Sequence, residues 1–259
     1  MQKQKTIGLV VALGILTGCG GSATTTTSSQ VNYSTVTVFS DSAGVFRGVS
    51  GSGGAAVGIS PEVASVVRAA NTSSSDDTIT TVDRSNFALL SSNALGKIRQ
   101  GTVAAGSTTV NVTIYENNSG DSGVVLFEVP SEGNLLFAAG SALSGYPSGS
   151  FTYYGQHAAG RRIVNATPEL GSFALVADFN NDVFGYSGTT ASTQLTGSGV
   201  IDKTNGRIAG SGFSLATPYG TYSATVHGNF HGTNAAEVTG IFHTNDTNPD
   251  YAGGFVGAR

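Results

Sequence analysis

The stretch that decides the fold reads Gly171, Ser172, Phe173, Ala174, Leu175, Val176, Ala177, Asp178, Phe179. Phe173, Leu175, Ala177 and Phe179 alternate with Ser172, Ala174, Val176 and Asp178, the period-two signature of a strand with one buried face. Downstream, the segments Leu195 to Asp202 and Arg207 to Leu215 are joined through Lys203, Thr204, Asn205 and Gly206. The Asn-Gly pair supplies the positive φ angles of a tight hairpin. Tyr222, Ala224, Val226, Gly228 and Phe230 then share one strand face, and Thr221, Ser223, Thr225, His227, Asn229 and His231 share the other. Glu237 to His243 and Tyr251 to Ala258 form the last pair, separated by the polar loop Thr244 to Asp250. From Ser150 onward about eight strands with short antiparallel connections are expected, and closing them into a barrel removes the exposed edges.

Upstream of Ser144 the pattern is looser. Tyr33, Val36, Val38 and Phe39 are β-formers, and strands are expected at Thr78 to Val82, Thr109 to Tyr115, Gly123 to Val129 and Asn134 to Ala138. One short helix is expected among them. Ser60 is its N-cap, Pro61 its first residue and Glu62 a complement to its positive end, while Val63, Val66, Val67 and Ala70 fall on one face before Asn71. Gly140, Gly145, Pro147 and Gly149 break the pattern and divide a sheet-rich domain, 31 to 143, from the barrel, 144 to 259.

The N-terminus carries an address. Lys3 and Lys5 precede an apolar run from Ile7 to Leu16 that is too short to span a bilayer, and Thr17 and Gly18 are the small residues of a cleavage site. Leu16, Thr17, Gly18 and Cys19 resemble the lipobox of bacterial lipoproteins, in which cleavage leaves the cysteine as an acylated N-terminus. Residues 1 to 18 are therefore expected to be a signal peptide and Cys19 the lipid anchor. Each buried methylene contributes about 0.8 kcal/mol, so several acyl chains on one residue hold a domain to a membrane. The run from Gly20 to Ser29, rich in Gly, Ser and Thr, has nothing to bury and serves as a flexible tether over 19 to 30.

Charge and cysteine usage exclude several classes. Twelve Lys and Arg face sixteen Asp and Glu, and loss of the leader with its two lysines takes the formal charge from -4 to -6. Arg161 and Arg162 are the only adjacent basic pair, so there is no clustered basic surface for nucleic acid. With one cysteine the chain cannot form an internal disulfide, and the fold must hold by packing and strand pairing. Thirty-seven glycines and only 11% charged residues suit an all-β extracellular protein.

The C-terminal half carries a resemblance. Gly171 to Phe179, then Gly228, Asn229, Phe230, His231 and Gly232, then Asn234 to Phe242, and the end strand Gly253, Gly254, Phe255, Val256, Gly257 together resemble the β-barrel domain of transferrin-binding protein B and its single-lobe relatives. That family carries a Gly-x-Phe-Tyr-Gly stretch, where His231 here replaces the tyrosine, followed by Ala-x-Glu, Gly-x-Phe and a Gly-x-Phe-Gly end strand. The resemblance covers roughly residues 144 to 259. It implies a sheet-rich handle before the barrel and an acylated cysteine before that. It also implies a surface lipoprotein of the bacterial outer membrane that captures an iron source, either haem or an iron-carrying protein, and serves an outer-membrane transporter. One lobe with compact loops argues against transferrin itself as the ligand. Two other roles stand beside this one: binding a non-nutritional protein partner for adhesion or masking, and a structural envelope lipoprotein.

Chemistry-bearing residues are sparse. His227 and His231 share a strand face but lie about 13 Å apart along it, too far to ligate one Zn²⁺ at about 2.1 Å per bond, and both are expected to face solvent. Tyr153, Tyr154, Gly155, Gln156 and His157, followed by Arg161 and Arg162, read as a strand end opening into a loop. A histidine or tyrosine ligates haem iron and an arginine pairs with propionates, which makes His157, Tyr154 and Arg161 the candidate haem site. The same residues also suit packing and capping of the first barrel strand. Haem would be a ligand, and no resident cofactor or metal is required. Gly51 to Ala56 mimics a dinucleotide fingerprint but lacks the βαβ unit, and there is no nucleophile elbow, Walker lysine or Cys/His pair, so an enzyme is not expected.

Overall fold

Alternation of apolar and polar residues sets the architecture in the computed structural model, which describes residues 45–49, 79–83, 87–105, 108–119, 122–129, 133–140, 143–161, 167–245 and 251–259. The expected helix at Ser60 to Asn71, the tether and Cys19 lie outside these residues. β1 (Val45–Val49) and β2 (Ile79–Asp83) form an antiparallel pair. β3 (Ala88–Asn93), β4 (Gly96–Ala105), β5 (Thr108–Glu116), β6 (Ser122–Val129) and β7 (Gly133–Gly140) form a five-stranded antiparallel sheet in chain order. β8 (Ser150–Arg161), β9 (Glu169–Asp178), β10 (Val183–Thr189), β11 (Gln194–Asp202), β12 (Arg207–Thr217), β13 (Gly220–His231), β14 (Glu237–Thr244) and β15 (Tyr251–Ala258) close into an eight-stranded barrel. Closure is made by β15 on β8, in register from Tyr251 opposite Arg161 to Ala258 opposite Tyr154.

The lumen is packed with side chains. Tyr153, Phe184, Phe213, Phe230, Phe242 and Phe255 are the largest of its fully buried residues, and Leu175, Leu195, Leu215 and Val226 fill between them. Bulk on one strand is met by absence on its neighbour: a Cβ on Gly199 would fall 2.6 Å from Phe184 Cε1, and one on Gly197 would fall 2.7 Å from Phe213 Cδ1. An eight-stranded barrel has an interior just wide enough for side chains to fill, and these rings use it.

One wall of the barrel carries the five-stranded sheet. Ile98, Tyr115, Val124, Leu126, Leu136 and Ala138 pack against Ala158, Ile241, Ala252 and Val256 on the outside of β8, β14 and β15. Polar bonds frame this apolar seam. Gln156 Nε2 donates to Lys97 O at 3.2 Å and Ser119 Oγ donates to Glu237 Oε1 at 2.5 Å. His231, expected to face solvent, is instead fully buried: β7 covers it, Gly140 sits against its ring, and its Nε2 lies 2.6 Å from Thr239 Oγ1. The alternation put it on the outer face, and the docked sheet turned that face into an interior.

Two other expectations change in detail. The connection at Asn205 and Gly206 is a four-residue loop in which Gly206 alone has positive φ, at +73°. The Asp202 carboxylate organises it, accepting from Thr204 N at 2.9 Å and Asn205 Nδ2 at 3.0 Å. The Tyr153 to His157 segment is the middle of β8 and not a strand end, because β8 runs on to Arg161 to pair with all of β15.

Candidate functional site

The two ends of the barrel differ. At one end, Leu143, Tyr146 and Phe151 pack on the core, with Tyr146 edge-on to Phe179 at 5.1 Å and Arg259 over Phe151 at 4.0 Å. Ser144 is tied down there by its N–H to Gly232 O at 2.9 Å and by Asn234 N–H to its carbonyl at 2.7 Å. That end is plugged.

The opposite end holds the connections after β10 and β12, together with the last residues of β8 and β14. Pro218 and Tyr219 form the tip between β12 and β13, braced by Tyr219 N–H to Thr217 Oγ1 at 3.1 Å and Tyr222 O–H to Tyr219 O at 2.9 Å. Bracing the backbone frees the ring, and Tyr219 is 62% exposed. The Arg161 guanidinium, at the end of β8, lies 5.3 Å from the centre of that ring, a cation–π contact. Arg161 Nε is buried without a hydrogen-bond partner among the described residues. Beside them, Glu169 accepts from Thr190 Oγ1 at 2.8 Å and Ser192 N at 2.9 Å, which fixes the loop after β10. Those bonds hold the Glu169 carboxyl below the usual carboxylate range, so it is ionised at neutral pH. An open groove of about 410 Å³ runs between the loop tips, lined by Thr190, Ser192, Thr193, Gln194, Thr217 and Pro218. Burial, then the neighbouring Tyr219, raise the pKa of Tyr251 on the inner side, keeping it a neutral phenol.

The three candidate haem residues do not converge. His157 points into the lumen, fully buried, with Nδ1 2.7 Å from Tyr186 Oη and its ring stacked on Phe242 at 5.2 Å and 8°. Burial pushes its pKa down to about 3, so the imidazole is neutral. Tyr154, three residues away, points out of the barrel and is 60% exposed. Arg161 shares the parity of His157 but sits about 13 Å further along the strand. Strand parity and rise separate what adjacency in sequence had joined. Tyr219 and Glu169 escaped the sequence reading, and Tyr222 and Tyr251 entered it only as strand residues. The available signal was the Pro218, Tyr219, Gly220 turn, an aromatic placed where a hairpin tip needs no apolar residue.

No family model and no curated protein matches the chain. Among solved structures it is similar to the isotype 1 transferrin binding protein B of serogroup B Neisseria meningitidis, at 14% identity and a TM-score of 0.46 over 62% of this chain and 35% of that one. A transferrin binding protein B double mutant from Haemophilus parasuis gives 15% identity and a TM-score of 0.48 over 71% of this chain and 39% of that one. The N-lobe domain of lactoferrin binding protein B from Moraxella bovis gives 16% and 0.37 over 63% and 79%. The chain thus spans less than two-fifths of the length of the first two. A five-stranded sheet seated on a closed eight-stranded barrel is the architecture that the resemblance of the C-terminal half implies.

Proposed function

We propose that the chain is a bacterial surface lipoprotein, anchored at Cys19 on the outward face of the outer membrane, that binds an iron source at the loop end of its barrel and serves an outer-membrane transporter. It acts by binding and not by catalysis. The observation that carries the reading is the filled lumen: with rings packed through the barrel and one end plugged, recognition is left to the opposite rim. That rim offers an exposed tyrosine, an arginine with an unmet donor, an ionised glutamate and a hydroxyl-lined groove. Exposed Tyr and Arg are the residue types that anchor protein interfaces.

An iron-carrying protein suits this end better than haem. Haem calls for an enclosed apolar slot with an axial ligand at its wall, whereas this groove is open to solvent, no histidine lines it, and His157 is sealed inside the barrel. The test presents the purified protein with haemin and with host-serum proteins as baits, read by absorbance and mass spectrometry. Retention of an iron-loaded serum protein that is lost in Arg161→Ala with Tyr219→Ala supports the reading. Binding of neither bait defeats it.

A second reading, a partner for adhesion or masking, is favoured by the barrel's free outer wall. Tyr154, Val176, Val183 and Val200 are all exposed there, and Val183 faces Val200 directly across β10 and β11. Capture of a non-iron serum protein that is lost on Val183→Lys would favour it over the first.

A further inference from the structure

Of the four histidines, His227 and His243 do something the proposed rim does not use. They lie on the outside of the barrel on adjacent strands, two residues apart in register: His227 stands opposite Ile241 and His243 opposite Thr225. Such diagonal neighbours are within reach of long side chains, and here the ring centres lie 6.5 Å apart with 21° between their planes. Both are only partly covered, so the pair is open to solvent.

The backbone orients one of the two rings. His243 Nδ1 lies 2.9 Å from Thr244 O, an acceptor that takes its N–H and leaves the Nε2 lone pair free. Orienting a ligating imidazole by a bond from its other nitrogen to a carbonyl is the usual outer-shell arrangement of metal sites. His227 Nδ1 has no hydrogen-bond partner among the described residues although the atom is buried. With metal–imidazole bonds of about 2.1 Å, an ion held between two rings sets their centres roughly 5 to 6.5 Å apart. The observed spacing is at the open end of that range.

We propose that His227 and His243 form a two-imidazole site for a borderline divalent transition ion, Zn²⁺ or Cu²⁺, with water completing its shell. Imidazole suits these ions, and Cu²⁺ binds tighter than Zn²⁺ in the general order of divalent affinities. The remaining two histidines, His157 and His231, are fully buried, so they do not compete for added metal in the folded protein.

The experiment uses tag-free full chain with Cys19 alkylated, titrated calorimetrically with Zn²⁺ and with Cu²⁺. One equivalent is expected to bind at micromolar concentration, and His227→Gln or His243→Gln should each weaken it at least tenfold while the thermal melt without metal is unchanged. Electron paramagnetic resonance of the Cu²⁺ form should show coupling to two imidazole nitrogens. That readout needs no variant. Coupling to one nitrogen or none, binding indifferent to both substitutions, or no binding below millimolar metal would overturn the site.

Discussion

Phe213 is fully buried because two neighbouring glycines leave room for it. Shape matching of this kind makes the lumen intolerant in both directions. Phe213→Ala should cost about 3–5 kcal/mol by losing contacts and leaving a cavity, seen as a fall in the denaturation midpoint at constant slope. An unchanged midpoint would show that the lumen is loosely filled. His157 adds a pH dependence. Its pKa is about 3 in the fold against an ordinary value near 6.5, so the native state disfavours the proton. The corresponding stability is complete above about pH 6.5 and is lost as pH falls from there toward 3. In His157→Gln, which keeps an acceptor for Tyr186 but does not titrate, the drop in melting temperature between pH 7 and pH 5 should be smaller than in the parent. An equal drop would mean that other groups set the acid response.

At the scale of elements, turns hold the register. Gly206 at φ +73° stands where a β-branched side chain is strained and where a Cβ would meet Leu143 Cδ2 at 2.5 Å. Gly206→Val should cost about 1–2 kcal/mol from backbone strain alone and loosen the β11–β12 hairpin in hydrogen exchange. Most barrel strands were legible because their inward residues are large and their outward ones polar, as in β9 and β13. Two strands were not legible. β10 places Phe184 and Tyr186 inward but spans only seven residues, two of them Gly185 and Gly188, and β3, reading Ala88, Leu89, Leu90, Ser91, Ser92, Asn93, has no β-branched residue and no alternation. Their pairing is imposed by neighbours and not by their own propensity. Site residues were harder still, because His157, Tyr154 and Arg161 are close in sequence yet divided by strand parity, while Arg161 and Tyr219 meet only through the barrel's curvature.

For the whole molecule, the seam between sheet and barrel is an apolar core in its own right, with Val124, Leu126 and Leu136 on one side and Ile241 and Val256 on the other. Residues 144 to 259 expressed alone should give a cooperative β-type melt, since Ser144 already ties to Gly232 and the barrel closes on itself. The melt should come at lower temperature than for the full chain, because the bared wall loses its cover. A disordered product would show that barrel and sheet fold only together.

The account stands on recognition at the loop end of a closed, filled barrel. The direct measurement is the affinity of the captured iron-loaded serum protein, by surface plasmon resonance, for the parent, for Arg161→Ala with Tyr219→Ala, and for Val183→Lys on the outer wall. The prediction is at least a tenfold loss in the rim variant and little change in the wall variant, with both melting as the parent does. Unchanged affinity in the rim variant alongside loss in the wall variant would contradict the account and move recognition to the side of the barrel.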